Sequence, residues 1–181
     1  KAVLNYERAA FFIPGDSDLK SNYDYALSSL NAGPRFFGNK FEKLCDRLFE
    51  GMAVDALVFF LSLIYIFAIA AYLSSLFWSR IRAFTRPVLM ILVVLFVVTS
   101  VALRHKAVYW HTGAVVISKE ADVKFEPLEN ATTYFKLNSG SNVEIIEKSA
   151  GWCKIKRPDG KLGWIQKEVL GLIGQDPASF L

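Results

Sequence analysis

Residues able to do acid–base, metal or nucleophilic chemistry are few in this chain and far apart. The histidines are His105 and His111; neither belongs to an HExxH pattern nor neighbours a nucleophile. Asp16 and Asp18 flank a serine at the start of a helical pattern, where carboxylates cap a helix rather than pair for proton transfer. Cys45 and Cys153 lack a CxxC partner, so metal and redox readings fail. Each reads as a small buried residue; a disulfide between them is conceivable outside the cell, with nothing in the sequence to support it. A G-x-S-x-G elbow and a phosphate-binding GxxxxGK[ST] loop are both missing. Asn130-Ala-Thr132 is a glycosylation sequon, idle in a bacterial host. The chain therefore reads as non-enzymatic, without cofactor or metal. Binding falls instead to aromatic side chains: Tyr6, Phe41, Phe125, Tyr134 and, foremost, Trp152. Trp164 reads as packing.

The elements positioning these residues are organised around two apolar runs. Ala56 to Phe77 is 22 residues without a charge, and Pro87 to Leu103 is 17. As helices they reach roughly 33 Å and 25 Å against a hydrocarbon core of about 30 Å. Neither has the polar stripe a soluble helix keeps, so a two-pass transmembrane hairpin is expected rather than a buried helix pair. Its spans are 56–78 and 87–104, with a basic loop at 79–86 and a linker at 105–112. Two spans place both ends on one side. Arg80, Arg82 and Arg86 crowd the loop, and their concentration there favours a cytoplasmic loop with both termini periplasmic.

Composition agrees with membrane content: 53% of residues are hydrophobic and the mean hydropathy is +0.30. The net charge of +4 resides in the membrane flanks: residues 56–112 carry five basic side chains and no acidic ones. No basic patch remains for nucleic acid.

Residues 1–33 read as two helices. Ala2, Tyr6 and Ala9 fall on one face, with Tyr6 as a knob between small residues, and Pro14 follows. A-x3-Y-x2-A-x4-P resembles the second helix of a tetratricopeptide repeat, with a capping helix from about Asp18 to Leu30. Because one repeat cannot bury its own face, either further repeats precede Lys1 or this remnant docks on something else; an ordinary helical hairpin is the alternative. Gly33-Pro34 ends the helix. In segment 34–55, Phe37, Phe41, Leu44 and Leu48 recur at helical spacing, giving an amphipathic helix in the membrane interface or a packing surface for a partner helix.

Residues 113–173 read as five or six short strands. Ala114–Ile117, Ala121–Pro127, Tyr134–Leu137, Val143–Ile145, Trp152–Lys156 and Gly163–Ile165 are extended, with turns at Asn138–Gly140, Ile146–Gly151 and Pro158–Gly160. Cys153 and Ile155 alternate with Trp152, Lys154 and Lys156, the period of a half-buried strand. The segment resembles the bacterial SH3 (SH3b) family through "AVVISKEADVKFEP", "GWCKI", "DGKLGWI" and the closing Val169-Leu170. That resemblance implies an all-β SH3-like barrel that binds cell-wall peptides or extracellular partners. Where many members have R-S/A-G-P after the second strand, this chain has Lys124-Phe-Glu-Pro127, so ligand choice does not transfer. Residues 174–181 form a tail.

Taken whole, the order of helical repeat remnant, transmembrane hairpin and SH3-like barrel resembles the C-terminal part of BatE-like aerotolerance proteins. The resemblance implies a multi-domain bacterial inner-membrane scaffold whose partners are von Willebrand A domain Bat proteins and a MoxR-type AAA+ ATPase. The alternative is a cell-wall anchor whose barrel recognises peptidoglycan peptides.

Overall fold

The structure is a computed structural model and describes residues 1–30, 44, 47–49, 51–77 and 82–174. Phe41, Cys45, Arg80, most of the expected amphipathic helix and the tail from 175 lie outside the described residues.

Four helices precede the β domain: α1 (Ala2–Phe12), α2 (Ser17–Ser29), α3 (Val54–Phe77) and α4 (Arg82–Thr112). Pro14 and Gly15 turn the chain between α1 and α2. Asp16 then caps α2, its Oδ1 accepting the N–H groups of Asp18 and Leu19 at 2.9 and 3.0 Å, an arrangement worth about 1 kcal/mol.

Helices α3 and α4 lie against each other along seams, spaced alternately by four and three in α3. Leu57, Leu61, Ile64, Ala68, Ala71 and Ser75 of α3 are buried or half-buried, as are Thr85, Leu89, Leu92, Thr99 and Ala102 of α4. Small residues in both seams let the backbones approach. The outward faces carry Phe59, Ile66, Phe67, Met90, Ile91 and Val94, all exposed. Ser62 and Ser74 donate to the carbonyls of Val58 and Ala70 in their own helix, so their hydroxyls add no polar stripe.

Two expectations need correction here. Helix α4 begins at Arg82, inside the region expected as loop; Pro87 sits within it, costing one backbone bond while Thr85 is buried. The expected linker 105–112 is its last two turns. A fall in hydropathy does not break a helix, and Arg104, His105 and Lys106 are compatible with helical backbone. Lys106 Nζ donates to the Phe49 and Met52 carbonyls at 3.2 and 2.5 Å, tying α4 to the turn before α3. The chain passes from α4 into strand without a spacer.

The β domain contains β1 (Gly113–Val116), β2 (Glu120–Lys124), β3 (Thr133–Asn138), β4 (Asn142–Ser149), β5 (Trp152–Lys156), β6 (Leu162–Gln166) and β7 (Leu170–Leu172). They form one antiparallel sheet in the order β3-β2-β6-β5-β4-β1-β7. Alternation puts Val123, Leu137, Val143, Ile145, Cys153, Ile155 and Ile165 into a single core, each aliphatic side chain contributing about 1.5–3 kcal/mol on burial. The β5–β6 turn closes through the Arg157 N–H to the Lys161 carbonyl at 2.9 Å, and Gly160 there has φ +89°, a conformation that suits glycine.

A second core joins the N-terminal helices to this sheet. Val3, Tyr23, Val115 and Ile173 are buried together, with Leu4, Tyr6, Tyr109 and Trp110 packed around them. Phe11 stacks on Trp110 at 4.1 Å. The face of α1 turned inward is Val3 and Glu7, not the expected Ala2–Tyr6–Ala9 stripe: Ala2 is exposed, and Tyr6 and Ala9 are half-buried. The helix is rotated from a repeat-like packing because what it covers is β1 and β7.

Candidate ligand-binding face

Strand alternation presents aromatic and cationic side chains on the outside of the β domain. Lys124 of β2 pairs in register with Trp164 of β6, which pairs with Lys154 of β5. Lys124 Nζ lies 5.6 Å from the Trp152 ring centroid, and Lys154 Nζ lies 5.7 Å from that of Trp164. Both tryptophans are half-buried, so each offers one face under an ammonium group, a cation–π contact of about 0.5–1 kcal/mol at exposed sites.

Next to this row, Phe125 and Tyr134 form a tilted pair with centroids 4.4 Å apart. They are 56% and 43% exposed, more than their own contact requires. Lys124 Nζ also donates to the carbonyls of Leu128 and Glu129, tying the 125–132 loop back to the end of β2. Phe125 is fixed by its N–H to the Thr132 carbonyl at 3.3 Å.

Of the residues singled out from sequence, Phe125 and Tyr134 come together, and Trp152 lies beyond Lys124. Tyr6 belongs elsewhere: its ring meets Tyr23 edge-on at 6.2 Å within the second core. Trp164 faces outward beside Lys154. Sequence reasoning passed over Lys124 and Lys154 as partners of the tryptophans, although the period-two pattern already put Lys154 on the Trp152 side. Arg157, which lies over Phe135 at 5.1 Å, had no sequence signal.

Charge around the face is uneven. Lys136 of β3 reaches Glu120 and Asp122 at 3.1 and 3.8 Å. The hydrogen bond to Glu120, reinforced by both carboxylates, raises its pKa above the usual lysine value. Under the face, burial pushes the Cys153 thiol up, against a smaller pull from Lys148 and Lys167. Among the described residues no three His, Cys, Asp or Glu side chains cluster as a metal site would need. The arrangement can stack and hold a ligand.

Comparison with known proteins bears on the β domain. No curated protein matches the chain. A crystal structure of an NlpC/P60 family protein from Bacillus cereus is 13% identical, with a TM-score of 0.28, over 38% of this chain and 22% of that one; the chain thus spans less than a quarter of that protein. Residues 119–171 match the bacterial SH3 domain family, and the antiparallel sheet is consistent with a domain of that kind.

Proposed function

We propose that the chain is a non-enzymatic adaptor of the bacterial inner membrane, crossing it twice and binding partners through its SH3 domain. The observation that carries this reading is the exposed Phe125–Tyr134 pair beside Lys124 and Trp152, an aromatic face of the kind that holds a partner. The membrane setting is supported by α3 and the Phe84–Thr112 part of α4, helices long and apolar enough to cross a bilayer and only 6% and 11% buried over their most apolar stretches. So much exposed apolar surface needs lipid or protein against it. The BatE-like reading rests on element order alone. In it, the partners are von Willebrand A domain Bat proteins and a MoxR-type AAA+ ATPase, α1 and α2 are a tetratricopeptide remnant, and both termini are periplasmic.

A second reading, a cell-wall anchor, is favoured by the half-buried Trp152 and Trp164 on the outer side of the sheet, whose rings suit packing against peptidoglycan stem peptides. One experiment separates the two. The full chain, tagged after Leu181, is isolated in mild detergent and its companions are read by mass spectrometry. Recovery of von Willebrand A membrane proteins supports the adaptor; recovery of muropeptides or wall hydrolases alone sinks it in favour of the anchor.

A further inference from the structure

Strand β3 is the last strand of the sheet, and its register fixes which backbone groups face outward. The Ser139 N–H donates to the Lys119 carbonyl at 3.1 Å, and β2 and β3 pair Glu120 with Asn138 through Val123 with Phe135. In an antiparallel ladder the hydrogen-bonded pairs alternate, so Ala121–Leu137 and Val123–Phe135 exchange bonds. The N–H and C=O of Lys136 therefore point away from β2, toward an edge with which no described strand pairs. At the opposite edge, Arg8 donates from Nε and Nη2 to the Ile173 and Leu172 carbonyls at 3.1 and 2.8 Å, so β7 is closed by α1. One edge is sealed and the other left open.

We propose that the β3 edge takes an extended, basic peptide segment of another protein as an added antiparallel strand. Open edges recruit extended chains because backbone donors and acceptors there lack partners. Charge selects the occupant. Glu120, Asp122, Glu126 and Glu129 outnumber Lys119, Lys124 and Lys136 along this border; Lys124 is spent on loop carbonyls, Lys136 is shared between Glu120 and Asp122, and Arg157 over Phe135 is paired with Asp159. A second copy of the same edge brings the same acidic excess and is repelled. The Phe125–Tyr134 pair at the end of β3 adds a platform for an aromatic or lysyl side chain of the guest strand. This deepens the adaptor reading by stating how the partner is held.

The test uses the full chain in detergent and a fluorescein-labelled hexapeptide, Lys-Val-Lys-Tyr-Lys-Val, capped at both ends, followed by fluorescence anisotropy. The expected result is saturable binding. It weakens by about tenfold or more when the lysines become glutamate, or when alternate peptide amides are N-methylated. Lys136→Pro, which removes the outward N–H and no inward bond, produces the same loss, whereas Lys136→Ala preserves or tightens binding. Should Lys136→Pro fail to fold, the N-methylated peptide puts the same question to the unaltered protein. Equal binding of the N-methylated and parent peptides overturns the proposal, as does a dimer in the ultracentrifuge that Lys136→Pro abolishes. If no peptide binds while membrane partners are still recovered, strand addition fails and the adaptor reading stands; intact peptide binding without membrane partners does the reverse.

Discussion

Asn142 of β4 donates from Nδ2 to Glu7 Oε1 of α1 at 2.7 Å, across 135 residues of sequence. Both residues are buried, 1% and 2% exposed, and Tyr23 of α2 completes the group, its hydroxyl donating to the same oxygen at 2.5 Å. A buried carboxylate is tolerated only where donors surround it. Here the donors come from the other helix and from the sheet, so the carboxylate fixes how the helical pair sits on the SH3 domain. With Arg8 bonded to the last strand, two adjacent α1 residues make the docking specific.

Glu7→Ala should accordingly free the helices. It removes the carboxylate oxygen that accepts from both the Tyr23 hydroxyl and the Asn142 amide, leaving the amide only its 3.1 Å bond to the Tyr23 oxygen and costing about 1–3 kcal/mol, whereas Glu7→Gln keeps an acceptor oxygen and should dock nearly as well. Hydrogen exchange read by mass spectrometry checks this: α1, α2 and β7 should lose protection together in Glu7→Ala. Protection equal to the parent protein would show that Val3, Phe11 and Arg8 hold the helices without the carboxylate.

Binding and stability should separate on the outer face of the SH3 domain. Tyr134→Ala and Phe125→Ala forfeit an exposed ring contact worth about 0.5–1.5 kcal/mol, while Ile155→Ala opens a cavity in the core and costs about 2–5 kcal/mol. Melting curves should therefore barely move for the first two and fall clearly for the third. Recovery of partners in the detergent pull-down should fall for Tyr134→Ala, whose fold is intact. Undiminished recovery in that variant would remove the aromatic pair from the binding surface.

How much of this was legible beforehand depends on the range of the interaction. Period-two alternation marks Cys153 and Ile155 as inward, and Pro158-Asp159-Gly160 marks a turn, because both are local consequences of backbone geometry. The apolar runs show themselves as readily. What stays hidden is the meeting of Glu7 with Asn142, since a carboxylate in α1 carries no mark of its distant donor, and the inward face of α1 is set by β1 and β7 rather than by its own spacing. The run from α4 into β1 was obscured because charge in Arg104–Lys106 looks like the end of a helix while only the backbone at Gly113 ends it. For Phe125 and Tyr134, sequence suggested two candidates; the fold of the loop at Lys124 makes them neighbours.

The Cys153 thiol should be silent in the folded protein. It is 1% exposed and burial raises its pKa, which favours the neutral thiol over the thiolate that reacts. Since the folded pKa is raised, the stability gained is present below the unfolded pKa and lost as pH rises through the folded one. In a Cys45→Ser background, maleimide labelling at pH 7 should be slow until the chain is unfolded, and alkaline pH should speed it. Fast labelling of the folded chain at neutral pH would contradict this burial.

The proposed topology has a reporter consequence. Arginines between two spans, here Arg80 with Arg82 and Arg86 at the start of α4, hold that end on the cytoplasmic side. Alkaline phosphatase fused after Leu181 should then be active, and fused within the loop at Ser79 inactive; the opposite pattern would invert the protein in its membrane.

Gly113 is where α4 becomes a strand, and its lack of a side chain is a packing requirement. A Cβ there would lie 2.5 Å from the Tyr109 backbone carbonyl, 2.8 Å from Ile173 Cδ1 and 3.1 Å from the Tyr109 ring. Ile173 can turn, but the Tyr109 carbonyl belongs to the last turns of α4 and moves only if the helix does. Gly113→Ala should cost about 1–3 kcal/mol, as overpacking does, and the strain should appear at the joint rather than inside the sheet. Spin labels on Phe96 and on Lys161, at the β5–β6 turn, would report it: their distance distribution should be narrow in the parent protein and broaden or shift in Gly113→Ala. A six-residue glycine–serine insert after Thr112 should broaden it further. An unchanged distribution in both variants would mean that α4 does not fix the SH3 domain's orientation, leaving that task to Glu7 and Arg8.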